Sequence, residues 1–307
     1  MGIRRLIGGF LLVIGAIVLG DRLLRHLAGE LEPPDGSDVG TVRVRGFDVA
    51  YTERGDPEAP DVLLIHDIYL GASSEEVARL GEELASEYHV IEVDLPGFGR
   101  SERPPITYDP AGFTHAVETI VEELLDEPTV IASGMGTAFT LDALETASVE
   151  QGIAISPLER RWPPAVGTGI LLDTPIIGTA IYDLLASRPS LRYHLEHHFD
   201  APTEHLPDGF VDHTWRVAHQ RGASRPISAW LAGELDSTVD TIDVVDRAGV
   251  PVTLVGGSKA AHPSLDDLRT VAEETSSRLV VVDGVGRAPH LLAPEQLATQ
   301  LLEGELP

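Results

Sequence analysis

Short apolar runs alternate with longer stretches of helical period along most of this chain, the pattern of strands joined by crossover helices in a mainly parallel sheet. Core strands are expected near 61–66, 89–94, 128–133, 151–156, 251–256 and 278–283, each too short for a buried helix. Ahead of them, 42–45 and 47–52 alternate apolar with polar residues, as an opening antiparallel hairpin does. Helical patterns at 75–87, 111–125 and 136–146 supply the crossovers. Residues 157–246 interrupt the alternation between the sixth and seventh expected strands. Apolar segments there, such as 169–186, suit the inner face of a helical insertion.

The N-terminus follows a different rule. Leu6 to Gly20 is an uninterrupted run of apolar residues and glycine, flanked by Arg4 and Arg5 on one side and by Asp21, Arg22 and Arg25 on the other. As a helix that run reaches about 22 Å at 1.5 Å per residue, short of the roughly 30 Å hydrocarbon core. Ile3, Leu23 and Leu24 lengthen it, and arginine side chains can snorkel to the headgroups. A signal peptide is the competing reading, but no small-x-small cleavage site follows. The expectation is an uncleaved helix over residues 1–29 that anchors the chain in the cell membrane, with the side of the membrane left open. Glu30-Leu31-Glu32-Pro33-Pro34-Asp35-Gly36 then reads as a linker over 30–40 that leads away from the domain.

Four segments carry the chemistry. Val62-Leu63-Leu64-Ile65 ends in His66-Asp67-Ile68; Asp94-Leu95-Pro96-Gly97-Phe98-Gly99-Arg100-Ser101 is a glycine-rich loop after the next strand. Val130-Ile131-Ala132-Ser133-Gly134-Met135-Gly136-Thr137 is a strand-to-helix turn built on small residues. Gly284-Val285-Gly286-Arg287-Ala288-Pro289-His290 closes the series. In this order they resemble the α/β-hydrolase fold superfamily over roughly residues 41–305. The resemblance implies an eight-stranded, mostly parallel sheet with helices on both faces. The core is then 41–156 and 247–307, with a helical cap at 157–246 between strands 6 and 7.

The same resemblance implies a nucleophile, an acid and a histidine, and all three expected positions hold something else. The small-x-nucleophile-x-small spacing fits only Ala132 and Gly136, which leaves Gly134 at the nucleophile position. The acid position after the seventh strand holds Ala260, and the histidine position holds Arg287. A guanidinium stays protonated and cannot act as the base. The implied oxyanion donors are the backbone N–H groups of Met135 and of the loop around Ile68, and Asp67 stands beside them where the family has glycine. That carboxylate either repels an oxyanion, or else faces water or caps a nearby helix. Ser133 and His290 are the candidate stand-ins for the triad. His66, Asp67, Ile68, Met135 and Arg287 are the candidate ligand contacts, Arg287 as a partner for an anionic group or as one half of an internal ion pair.

Composition sets the surroundings. The chain carries 49 Asp+Glu against 22 Lys+Arg, a net charge of -27, with Lys259 its single lysine. Such an acidic, lysine-poor chain resembles proteins of salt-loving archaea, which use high net charge to stay soluble. It has no basic patch for nucleic acid. No cysteine is present, which removes disulfides and thiolate metal sites. His194-Leu195-Glu196-His197-His198 matches an H-x-x-H-H box but lacks the companion boxes and spans of a diiron enzyme, so these histidines are expected to face solvent near a helix end; no cofactor and no metal are expected. The reading is a membrane-anchored, non-hydrolytic protein of hydrolase fold that binds a partner, or a small apolar or anionic ligand, beneath its cap. The alternative is an active esterase with a rearranged site using Ser133, His290 or both.

Overall fold

Strand pairing places the expected β elements in one sheet of order β1-β2-β4-β3-β5-β6-β7-β8. The computed structural model describes residues 2–33, 38–158, 174, 176–237 and 239–302, with the side chains of residues 2–11 outside that description. The strands are β1 Asp38–Val44, β2 Phe47–Arg54, β3 Asp61–Ile65, β4 His89–Val93, β5 Thr129–Ser133, β6 Gln151–Ile155, β7 Val252–Gly257 and β8 Arg278–Val282. β1 and β2 form the antiparallel hairpin, β2 meets β4 antiparallel, and every later pair is parallel.

Helices cover both faces because the strands are apolar on both. Val62 and Leu64 of β3 join Val90, Ile131, Ile153 and Val255 on one side, with Leu80 and Leu84 of α2 (Ala78–Leu84) and Leu297 and Leu301 of α11 (Pro294–Leu302). Leu63 and Ile65 point the other way, toward Phe113 and Ile120 of α3 (Pro110–Leu124) and Phe139 of α4 (Gly136–Leu144). Local signals fix the helix starts. Asp109 caps α3 by accepting from Gly112 N at 2.7 Å with Pro110 in the first turn, and Ser264 with Asp267 forms a capping box on α10 (Leu265–Thr275). The expected helix at 75–87 is divided into a 3-10 turn at Ser74–Glu76 and the shorter α2.

The cap lies between β6 and β7. Its described helices are α5 (Ile177–Leu185), α6 (Arg188–Phe199), α7 (Phe210–Ala218), α8 (Ser224–Ala232) and α9 (Thr241–Arg247). Residues 159–173 and 175 of the expected cap, which include the start of the expected inner face at 169–186, fall outside the described residues; in the remainder of that face Gly178 and Tyr182 are buried, with Tyr182 Oη donating to Ala218 O at 2.8 Å. The cap is fastened to the core at several points. Phe199 O accepts from Arg287 N at 3.1 Å, Asp200 Oδ2 accepts from Ala261 N at 2.9 Å, and Ser73 Oγ lies 3.1 Å from His213 Nε2. Backbones also meet: a Cβ on Gly71 would stand 2.4 Å from Thr214 O.

The N-terminal segment departs from the expected detached anchor and linker. α1 (Gly2–Ala28) packs on α5 and α7. Ala28 is in the core, Arg216 Nε donates to Ala28 O at 2.9 Å, and Gln220 Nε2 donates to Gly29 O at 2.9 Å. A guanidinium at the carbonyl end of a helix suits its dipole, so α1 ends on the cap and 30–33 runs along the protein. Residues 34–37 of the expected linker, and the side chains of the anchor's first turns, fall outside the described residues. Among the described residues no helix is long and apolar enough to cross a membrane.

One buried group makes the core's stability depend on pH. Glu92 of β4 is fully buried, accepting from Thr52 Oγ1 at 2.7 Å and Arg54 Nε at 2.9 Å. Burial outweighs those partners and raises its pKa from 4.5 to about 7. The folded chain therefore holds a proton that the unfolded chain releases between these values, and stability falls as pH rises through that window. At 1.36 kcal/mol per unit the loss is about 3 kcal/mol. Denaturant unfolding of wild type and Glu92→Gln between pH 5 and pH 8 is expected to show this fall in wild type and a flatter profile in the variant.

Candidate functional site

The turn after β5 is built for a backbone that few residues adopt. Gly134 has φ +53°, its N–H donates to Ile155 O at 2.9 Å, and α4 starts two residues later. Gly136 is held close to β3, where a Cβ would come within 2.5 Å of His66 O. The elbow geometry is therefore intact. At its apex there is no room for a side chain, because a Cβ on Gly134 would lie 1.9 Å from Asp67 Oδ2 and 2.0 Å from Asp67 Cγ.

Asp67 is the centre of the site. It is buried at 2% exposure, which rules out the water-facing reading. Its Oδ1 accepts from Met135 N at 2.7 Å and from Ile68 N at 2.6 Å. These are the two amides implied as oxyanion donors, so the chain's own carboxylate sits between them. Oδ2 lies 2.9 Å from His198 Nε2, without a well-aligned hydrogen bond, and 3.9 Å from Arg287 Nη2. Burial alone would raise the carboxyl's pKa; His198, Arg287 and the Met135 amide outweigh it and hold the group below its ordinary value.

Arg287 sits where the resemblance implies histidine, 4% exposed, its carbonyl accepting from Ser156 Oγ at 2.7 Å. Burial lowers its pKa, while Asp67, Asp200 and Glu76 oppose that fall; a guanidinium remains charged throughout. Its Nη2 makes no hydrogen bond among the described residues. The expectation of an internal ion pair is met in a loose form, with one nitrogen free for a further acceptor. Ala260, at the acid position, lies in the loop after β7 with its N–H on Gly257 O at 3.1 Å.

The stand-ins do not converge. Ser133 is buried at the end of β5, where it pairs with Ile155 of β6. His290 is fully buried and its Nε2 lies 2.8 Å from Glu76 Oε1; its Nδ1 has no hydrogen bond among the described residues. Glu76 Oε2 in turn accepts from Asp67 N at 3.2 Å. His290 and Glu76 thus brace the Asp67 loop from below. His66 is also structural. Its Nε2 accepts from Leu95 N at 3.1 Å, which leaves the proton on Nδ1 to donate to Asp67 O at 2.6 Å.

The H-x-x-H-H box corrects the expectation placed on it. His197 is exposed on α6, but His194 is partly buried and His198 buried, one turn apart and turned toward the site. His198 lies 4.7 Å from the Tyr69 ring and His194 5.8 Å from the Trp230 ring. Burial, helped by Arg287, lowers the pKa of His198, and burial with His198 lowers His194 to about 3, so both imidazoles are neutral near pH 7. Among the described residues no three His, Cys, Asp or Glu groups are placed to hold a metal ion. Sequence reasoning missed His198, His194, Glu76 and Asp200. The only signal for the first two was their spacing of four on a helix, which puts them on one face.

Residues 62–300 match the model described as the alpha/beta hydrolase family. A stretch of 108 residues is 26% identical to the esterase YbfF of Escherichia coli K12, covering 34% of this chain and 42% of that protein, so the match spans less than half of the relative's length. Cfl2 from Burkholderia cenocepacia superposes with a TM-score of 0.72 at 20% identity, over 89% of this chain and 97% of that one. The 2-hydroxy-6-oxo-6-phenylhexa-2,4-dienoate hydrolase of Rhodococcus sp. strain RHA1 gives 0.69 at 18% identity, over 87% and 98%. At these identities the two structures share the fold, and fold alone does not assign chemistry.

Asp67, Gly134 and Arg287 form one coupled set, and denaturant unfolding can expose it. Asp67→Ala is expected to destabilise by about 3–5 kcal/mol, because it leaves Arg287 buried without its carboxylate; adding Arg287→Met should recover much of that loss. Gly134→Ala is expected to cost about 1–3 kcal/mol by overpacking, and less in an Asp67→Gly background. Strict additivity in both cycles would refute the coupling.

Proposed function

Because this chain belongs to the alpha/beta hydrolase family, we propose that it is a membrane-anchored member that has kept the fold, no longer hydrolyses, and binds a small ligand or a partner beneath its cap. The observation that carries this reading is the Asp67 carboxylate between the Met135 and Ile68 amides. Acyl transfer needs those donors empty and aimed at the developing oxyanion. Here they are filled, and the residue that fills them also excludes a nucleophile at position 134. A cation at 287 and a methyl group at 260 remove the base and its orienting acid.

The ligand part of the reading rests on nitrogens left without partners. His194 Nε2, His198 Nδ1 and Arg287 Nη2 are buried around Asp67 and make no hydrogen bond among the described residues. Leaving such groups unpaired costs about 1–3 kcal/mol each, so an oxygen-bearing molecule or ordered water is favoured among them. The esterase alternative, suggested by the name of the YbfF relative, has weaker support, because His290 is committed to Glu76 rather than to Ser133. Anchoring draws on α1, with the cell membrane as the proposed location. The acidic surface favours a salt-loving host, which sets the assay conditions.

Hydrolysis of short- and medium-chain nitrophenyl esters by the full chain in molar KCl tests the reading. Wild type and Ser133→Ala are both expected at background; saturable turnover that Ser133→Ala abolishes would overturn it. The role of Asp67 has its own test. A Gly134→Ser/Ala260→Asp/Arg287→His chain is expected to remain inactive until Asp67→Gly is added, since only then is the oxyanion site vacant. Equal activity with and without Asp67→Gly would refute the blocking role.

A further inference from the structure

How α1 packs limits how it can meet a bilayer. Ile14, Ile17, Asp21, Leu24 and Ala28 recur at helical spacing and are at least partly buried, turned toward the protein. Leu24 packs against the core, and Asp21 and Arg25 line a cleft with Thr179, Tyr182 and Asp183 of the cap. The helix is therefore docked from about residue 14 to its end. The length of helix ahead of that, residues 2–13, reaches about 18 Å at 1.5 Å per residue, well short of the roughly 30 Å of a hydrocarbon core.

The opposite side of α1 is an uncovered leucine stripe. Leu12, Leu19, Leu23 and Leu27 are 76%, 66%, 57% and 62% exposed, and their spacing of seven and then four keeps them on one face. Such a face in water is a liability unless something covers it. Charge selects the cover. Arg25 is paired with Asp21, the single acid of α1, at 2.7 Å, which leaves Arg4, Arg5 and Arg22 as uncompensated cations of the helix in a chain whose net charge is -27. A cationic, apolar strip on an acidic protein fits anionic headgroups, whereas a second copy of the chain brings like charge.

We infer that α1 is a monotopic seat: it lies in the plane of the membrane, with the leucine stripe in the headgroup–acyl boundary and the cap held against the lipid surface. The inference rests on the membrane association proposed above and specifies its geometry. The expected single span is thereby replaced by a helix that belongs to the cap on one face and to lipid on the other.

The chain has no cysteine, so single labels can be placed cleanly on the full-length protein. Leu12→Cys, Leu19→Cys, Leu23→Cys and Leu27→Cys would each carry a nitrobenzoxadiazole probe, with Lys259→Cys as a remote control. Each is mixed with phosphatidylcholine–phosphatidylglycerol vesicles bearing nitroxides at shallow or deep positions. The expected result is a blue shift at all four stripe positions, quenched equally by the shallow nitroxide, and none at 259. A depth that changes steadily from 12 to 27, about 22 Å along the axis, overturns the seat in favour of a span and leaves anchoring intact. A blue shift without vesicles that grows with protein concentration overturns it in favour of a second copy. No vesicle binding by flotation removes the membrane reading itself.

Discussion

A carboxylate gripped by two backbone amides is the constraint around which the centre of this protein is arranged. Asp67 receives Met135 N–H from the start of a helix and Ile68 N–H from its own loop, at 2.7 and 2.6 Å. Hydrogen bonds to a charged acceptor contribute about 1.5–3 kcal/mol each, and together with His198 and Arg287 the amide grip outweighs the cost of burying the charge. Everything near Asp67 complies with it. Gly134 has no side chain because the carboxyl fills that space. His198 and Arg287 bring a neutral ring and a cation to the second oxygen. Glu76 steadies the loop from beneath through Asp67 N and His290.

On the proposed non-hydrolytic reading, Gly134, Ala260 and Arg287 are not a set of unrelated replacements. An oxyanion hole is a site that stabilises negative charge, and this chain has supplied the negative charge itself. The cation at 287 then stands where a base would be useless, and its charge helps keep Asp67 ionised. On that reading the fold's electrostatic machinery persists, redirected from a transient charge to a permanent one.

Much of the fold was legible in the sequence, because strand runs and glycine-rich loops are local signals. The apolar run Val62 to Ile65 and the Pro96–Gly97 turn each announce their conformation. Motif spacing likewise pointed to Gly134, Ala260 and Arg287, which lie in the turn after β5 and in the loops after β7 and β8. What could not be read was which way side chains face once helices from distant segments meet. His198 lies far along the chain from Asp67 and approaches it only because α6 crosses the mouth of the sheet; no local pattern encodes that crossing. Asp67 was identified, but its two alternatives turned on a side-chain rotamer. The docking of α1 depends on Arg216 and Gln220 reaching its last carbonyls. Neither residue marks itself as a helix cap in sequence.

The fastening of the cap has a kinetic meaning. A lid hinged at one end opens by rotation, on the microsecond-to-millisecond scale of domain motion. Here α6 is tied through Phe199 O and Asp200 to the loops after β8 and β7, and α7 is tied through His213 to the loop after β3. The end of α6 and the first turns of α7 are thus held to three separate core loops, so these helices have no single hinge point among those ties. Lifting them means breaking backbone hydrogen bonds, which is local unfolding rather than hinge motion. The dwell time of a molecule held under these helices is then set by the stability of those fastenings rather than by the strength of its own contacts.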